Sequence, residues 1–283
     1  MIIVTAASGQ LGRLVIAELL QRVPAERIVA AVRDPGKVAD LADQGVLVRH
    51  ADYTDPAALD AAFEGASKVL LISSNDLGNR VPQHRNVIDA AARAKVGLLA
   101  YTSVLHADRS TLGLAAEHRA TEDAVRASGL PYSLLRNGWY VENYTVSLGG
   151  AVAHGALAGG AGEGRIAAAA RADYAAAAAV VLAGEGPKQQ VYELAGDTAF
   201  TLAELAAEVS RQTGKPIPFH NLAQQEYAEL LVNVGLPKPL AELIADADAQ
   251  AAKGALFDDR RALSQLIGRP TVTLAAAVRA ALN

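Results

Sequence analysis

The stretch MIIVTAASGQLGRLVIAELL (1–20) decides the fold. Residues 2–5 read as a short buried strand, and a small-residue turn follows over 6–9. Leu11, Leu14, Val15, Leu19 and Leu20 then recur at helical spacing over 11–22. Strand, turn and helix in this order is the arrangement a dinucleotide site requires. Glycines let the backbone turn tightly and approach a pyrophosphate, and the helix N-terminus offers N–H groups and a partial positive charge. The usual first glycine is replaced by Ala6, which leaves an A-x-x-G-x-x-G pattern on Ala6, Gly9 and Gly12. If the backbone at position 6 is left-handed, alanine costs roughly 1–2 kcal/mol there; if φ is negative, the methyl matters only by its bulk. A tight turn that binds nothing is the competing reading.

The same alternation continues outward. RIVAAVR (27–33), VLVRHAD (46–52), KVLLISS (68–74), GLLAYTS (97–103) and PYSLLRN (131–137) read as strands. Helices are expected at KVADLADQG, at PAALDAAFEG, and across 82–95 and 115–128. Continuous apolar strands alternating with helices predict an α/β chain with a Rossmann-type doubly wound parallel sheet. After residue 145 the pattern changes to a glycine-rich loop, LAGGAGEGR, then a helix at RADYAAAAAVVLAG and a strand at QVYELAG. Thr201 with Glu204 forms a capping box, and the remainder is mostly helical. The expected division is a nucleotide-binding domain over 1–150 and a smaller, mainly helical substrate-side region over 151–283 that partly returns to the first sheet.

Ligands of open parallel sheets sit beyond the carboxyl ends of the strands, so Thr5, Arg33, Asp52, Ser73, Ser74, Thr102, Ser103 and Asn137 are the candidates for chemistry. An arginine ending the second strand suits a ribose 2′-phosphate and favours NADPH over NADH. Asp34 follows it immediately, and an acidic group at that point would favour NADH.

The chain has 283 residues, 51% of them hydrophobic, and a net charge of −4. That balance argues against nucleic acid as a partner. There is no cysteine, which removes disulfides and thiolate chemistry and fits a cytoplasmic protein. Residues 2–5 are too short for a secretory leader, and the apolar stretch over 166–184 is interrupted by Arg171 and Asp173, so no membrane association is expected. His50, His106, His154 and His220 show no metal-ligand spacing, so no metal site is expected. Ser103 lacks a G-x-S-x-G elbow and is at most a substrate contact. Asp258 and Asp259 read as a solvated cap, and His84 and Arg85 as the opening of a helix near the cofactor, with no chemistry assigned.

VTAASGQLG, IVAAVRDPGK, PQHRNVIDAA, AYTSVLHAD, LLRNGWYVENY and FDDRRALSQLIGRPT together resemble the NmrA-like branch of the atypical short-chain dehydrogenase/reductases, closest to its bacterial NADPH-dependent quinone oxidoreductases. The resemblance runs end to end. It implies a Rossmann domain holding NADPH, a small C-terminal domain, and two-electron reduction of a small-molecule quinone without flavin. A homodimer is left open as the assembly, because the chain alone does not fix its oligomeric state. Carried over residue by residue, the implied cofactor contacts fall on Ala6, Ala7, Ser8, Gly9, Gln10 and Leu11, on Arg33, and on Ser73, Ser74 and Asn75. A last group falls on Asn137, Gly138, Trp139, Tyr140, Val141 and Glu142. The resemblance also implies glycine where this chain has Ala6.

Ordinary members of the wider family use a Tyr-x-x-x-Lys pair on the helix after the fifth strand. In register, His118 takes the lysine position and Leu114 the tyrosine position, so the acid is missing. Hydride addition to a simple ketone makes an alkoxide that needs a proton donor. A quinone becomes an aromatic phenolate and needs little such help. The implied catalytic group is therefore His118, Tyr140 and Asn143. His118 would bond the cofactor ribose or give a late proton, while Tyr140 and Asn143, with Trp139, would form a nicotinamide wall and a stacking surface. A packed helix-face histidine and packing aromatics are the competing readings. Reduction of conjugated cationic dyes, and an NADP(H)-sensing regulatory protein without turnover, are the alternatives in function.

Overall fold

The computed structural model describes residues 1–185 and 189–283. Up to residue 137 the elements are β1 (Ile2–Val4), α1 (Gln10–Leu20), β2 (Ile28–Val32), α2 (Ala39–Ala42), β3 (Leu47–His50), α3 (Pro56–Ala62), β4 (Lys68–Leu71), α4 (Arg80–Arg93), β5 (Leu98–Val104), α5 (Ala115–Ala127) and β6 (Tyr132–Asn137). They continue with α6 (Glu142–Thr145), α7 (Leu148–His154), β7 (Leu157–Gly159), α8 (Arg171–Ala183), β8 (Gln190–Leu194), α9 (Leu202–Thr213), β9 (Phe219–Asn221), α10 (Gln224–Asn233), α11 (Lys238–Ala251), α12 (Ala262–Ile267) and α13 (Leu274–Leu282).

Seven strands form one parallel sheet in the order β3-β2-β1-β4-β5-β6-β8. The order reverses between β1 and β4, where Ile3 pairs with Val29 on one side and Val69 on the other. β1 and β2 are buried along their whole length, as apolar runs covered on both faces must be. Ile3, Phe63, Leu71, Leu99 and Tyr101 fill one layer of core. On α8 the alanine run is packing surface, with Ala175, Ala176, Ala177, Ala178 and Ala179 all buried.

The chain packs as two compact units that interleave in sequence. The first comprises Met1–Ala107, Glu117–Asn137 and Arg171–Leu194; the second comprises Asp108–Ala116, Gly138–Ala170 and Ala195–Asn283. α8 and β8 thus belong to the sheet unit, well beyond residue 150. In the second unit β7 and β9 form a small parallel pair, a feature hidden by its glycine-rich sequence. The Thr201–Glu204 capping box opens α9 as expected, with the Thr201 N–H donating to Glu204 Oε2 at 2.8 Å and the Glu204 N–H to Thr201 Oγ1 at 3.1 Å.

Local differences have local causes. KVADLADQG becomes a 3₁₀ turn, Pro35–Val38, and a helix of only four residues. The helix expected from residue 82 begins at Arg80, which places His84 inside its second turn and buries it completely. Asp258, read as solvated, is buried and accepts from Arg260 Nε at 2.8 Å.

Candidate cofactor site

The turn after β1 is held at the point where strand order reverses. Thr5 N–H donates to Leu70 O at 3.1 Å and Ala7 N–H to Ala31 O at 3.3 Å, one bond to each neighbouring strand. Gly9 N–H closes the turn on Ala6 O at 3.0 Å. Ala6 has φ +48°, a left-handed conformation that alanine takes only at a cost. Gly12 has no alternative, since a Cβ there would lie 2.6 Å from Ala6 O and 2.7 Å from Ala7 Cα. The helix and the turn touch backbone to backbone.

Gly9 is the N-cap of α1, and no side chain caps this end. No acidic residue stands in the first turn either. Its N–H groups and partial positive charge suit a pyrophosphate. Ser8, Gly9 and Gln10 are exposed, whereas Ala7 and Leu11 are buried and can offer only their backbone.

Arg33 is exposed beyond β2 and enters none of the ion pairs among the described residues. Asp34 is occupied differently: its Oδ1 accepts the Gly36 N–H at 3.0 Å and caps the 3₁₀ turn. The two neighbours, ambiguous in sequence, are separated by this bond. Arginine is the strand-end group left for a ligand. Asp52, ending the third strand, is held below the usual carboxylate range by the Thr54 N–H and hydroxyl, with Arg33 a lesser cause.

Ser73 and Ser74 are half-buried beyond β4 and Asn75 is exposed. Ser73 N–H donates to Thr102 Oγ1 at 2.9 Å, so Thr102 acts on the neighbouring loop. Asn137 ends β6, where its carbonyl accepts the Leu105 N–H at 2.8 Å. Its side-chain Oδ1 is buried with no hydrogen-bond partner. Buried polar atoms are nearly always satisfied. An unmet acceptor beside the other strand ends fits a ligand that brings an N–H donor, as the carboxamide of a nicotinamide does.

His118 lies on α5, 5% exposed, with Nδ1 2.7 Å from the Tyr101 hydroxyl. Burial, with Arg80 and His84 nearby, holds the imidazole well below its ordinary pKa. It is therefore neutral at pH 7 and carries no imidazolium proton to give. Ser103 donates its hydroxyl to Glu122 Oε1 at 2.6 Å, which commits it to a buried ion pair that Arg136 completes with Glu122 and Glu193.

The remaining candidates lie in the second unit. Val141 N–H donates to Ala169 O at 2.9 Å and Ala169 N–H to Trp139 O at 3.2 Å, which fixes the backbone around Tyr140. Gly138 is buried, Trp139, Tyr140 and Glu142 are half-buried, and Asn143 is exposed. Tyr144 belongs to the same run, and nothing in the sequence sets it apart from its neighbours. Its hydroxyl is buried without a partner, and its ring meets Phe200 edge-on at 5.9 Å. The structure thus gathers the turn after β1, Arg33, Ser73, Ser74, Asn75 and Asn137 at the carboxyl ends of one sheet, and carries residues 138–143 in the other unit. Among the described residues no group of histidines and carboxylates is placed to hold a metal, and no helix is long and apolar enough to cross a membrane.

A reversing parallel sheet with an uncapped helix N-terminus at its switch point defines a dinucleotide-binding protein. A family model described as NAD(P)H-binding matches residues 6–186, and the chain belongs to this family. It is 55% identical to Quinone oxidoreductase 2 of Escherichia coli (strain K12), covering 100% of this chain and 99% of the relative. The crystal structure of an NADPH-dependent quinone oxidoreductase from Escherichia coli complexed with NADPH superposes with a TM-score of 0.98 at 55% identity over 100% of both chains. The Citrobacter sp. triphenylmethane reductase complexed with NADP(H) matches with a TM-score of 0.96 at 40% identity, over 99% of this chain and 100% of that one.

Proposed function

We propose that this chain is a flavin-independent NADPH:quinone oxidoreductase. The observation that carries the reading is the state of the sheet's carboxyl edge: an uncapped α1 N-terminus, an unpaired Arg33 and an unmet Asn137 Oδ1, with no strong acid among them. NADPH, when bound, supplies the hydride equivalent. The α1 N-terminus and the turn before it would hold the pyrophosphate, Arg33 the 2′-phosphate, and Asn137 the carboxamide. His118 is neutral and donates at most one N–H to orient a ligand. An acceptor that gains aromaticity on reduction tolerates this, and a quinone is such an acceptor. The 55% identity with the Escherichia coli enzyme supports quinones over ketones. Tyr140 and Asn143, with Trp139, are assigned to the wall against which a flat ring would stack.

The test is direct. Flavin-free protein, NADPH and a benzoquinone are mixed, and the reduced-nicotinamide absorbance is followed. Steady decay above the blank is expected with quinones and none with simple ketones; no decay with any of several quinones would overturn the reading. A triarylmethane dye belongs in the same assay, because the 40% identical Citrobacter protein is a triphenylmethane reductase.

A further inference from the structure

We propose that His84, to which the sequence assigned no chemistry, and Arg80 are positioning residues that clamp the backbone of Ser74 and thereby fix the cofactor-facing segment after β4. The proposal rests on the NADPH reading above.

The chain leaves β4 at Leu71 and enters α4 at Arg80, and between them no regular structure holds it. Ser74 instead is held on every polar group it has. Its N–H donates to His84 Nε2 at 2.9 Å and its carbonyl accepts from Arg80 Nε at 2.7 Å. Its hydroxyl donates to Gln83 Oε1 at 2.6 Å and accepts the Asp76 N–H at 3.1 Å. Every polar group of Ser74 is thus engaged within the protein. The side chains of Ser73 and Asn75, on either side of it, are what the segment can present, and the clamp sets their direction.

The clamp is backed by α5. An imidazole that accepts from a backbone N–H at Nε2 must carry its proton on Nδ1, which faces Thr121 Oγ1 at 3.0 Å. The Thr121 hydroxyl donates onward to Glu117 O at 2.9 Å, so its oxygen is free to receive that proton's bond. Glu117 also pairs with Arg80 at 3.3 Å and accepts the Gly78 N–H at 3.0 Å. Arg80 is 6% exposed and His84 is 0% exposed, with Tyr101 and Tyr53 set edge-on to the imidazole. Burial, with Arg80 adding to it, pushes the His84 pKa down to about 3, which keeps Nε2 bare across the physiological range. Nη1 of Arg80 faces Glu117 as an ion pair and makes no hydrogen bond, whereas its Nε is bonded to Ser74. A buried polar network costs more to assemble than an apolar patch, and what it provides is a single geometry. Here that geometry belongs to residues 73–75, where the NADPH reading places cofactor contacts.

The experiment measures the NADPH dissociation constant on the full chain by fluorescence or calorimetry, beside thermal unfolding. His84→Leu is expected to weaken NADPH about tenfold, through loss of one buried hydrogen bond, while kcat at saturating NADPH stays within about twofold. His84→Gln can accept the Ser74 N–H through its amide oxygen and should recover most of the affinity. Ile88→Ala, a buried change one turn further along α4, should lower the melting temperature and leave the dissociation constant unmoved. An unchanged dissociation constant in His84→Leu, or an equal loss in Ile88→Ala, overturns the clamp. If His84→Leu does not fold, Thr121→Val carries the test: about a threefold loss supports the proposal and no loss overturns it. Wild-type protein that binds no NADPH overturns the cofactor reading itself and the clamp with it, a result distinct from a variant that binds as well as wild type.

Discussion

The turn after β1 and the segment after β4 lie at the same edge of the same sheet and are built by opposite means. The first holds itself: backbone bonds from Thr5, Ala7 and Gly9 set its shape, and no side chain caps it. The second is held by others, through His84, Arg80, Gln83 and, behind them, Glu117 and Thr121. A phosphate cradle must expose its N–H groups, so it can only be shaped from within. A segment that presents side chains can have its backbone bound from behind. The comparison explains why strain sits in the first region and buried charge in the second.

The largest expected effect falls on the self-held turn. Gly12→Ala drives a methyl into the backbone of Ala6 and Ala7, which cannot swing aside as a side chain would. A loss of about 3 kcal/mol in urea unfolding is expected, and a change under 1 kcal/mol would break the account of helix and turn in backbone contact.

The next effect belongs to the side-chain-held segment and is read by pH. The unfolded chain protonates His84 near its ordinary pKa of 6.5, whereas the folded chain resists until about 3. The unfolded state therefore binds more protons in that interval, and the stability contributed by neutral His84 is present above about pH 6.5 and lost as pH falls toward 3. Asp248, in the second unit, works in the opposite sense, because burial raises its carboxyl to about 6 and the folded state takes that proton first. The clean observable is thus the difference between wild type and His84→Gln. Wild type should lose about 2 kcal/mol relative to the variant between pH 7 and pH 5. Parallel curves would remove the neutral-histidine clamp.

Arg33→Ala sharpens the comparison at the cradle's rim. NADPH should bind about tenfold more weakly while NADH is little changed. Equal loss for both nucleotides in a titration would end the case for 2′-phosphate recognition. The smallest effect is expected from Ala6→Gly. It relieves a left-handed alanine, and with the flexibility of glycine in the unfolded chain subtracted, a gain of about 1 kcal/mol should remain in thermal unfolding. Destabilisation would mean that the turn carries no strain at this residue.

Much of this was legible before any coordinates. The strands announced themselves because β-branched runs buried on both faces have no polar face to hide, as in β1 and β2. The capping box at Thr201 was equally plain, because it is a bond between residues three apart. β7 was not, since Leu157–Gly159 sits in glycine-rich text and owes its pairing to a strand sixty residues on. The site divides in the same way. Arg33 and Asn137 could be picked out as strand ends, but the capping duty of Asp34 and the unmet oxygen of Asn137 could not. His84 carries no such signal, because one histidine in PQHRN says nothing of whether its ring is wet or dry.

Local periodicity and turn chemistry act over a few residues, so the sequence by itself determined the doubly wound sheet, the nucleotide turn and the missing tyrosine–lysine pair. Backbone sign, burial and proton placement depend on what distant segments bring alongside. Only the tertiary structure could make Ala6 left-handed against Gly12, or turn His84 into a neutral acceptor by closing α4, α5 and the Ser74 loop around it.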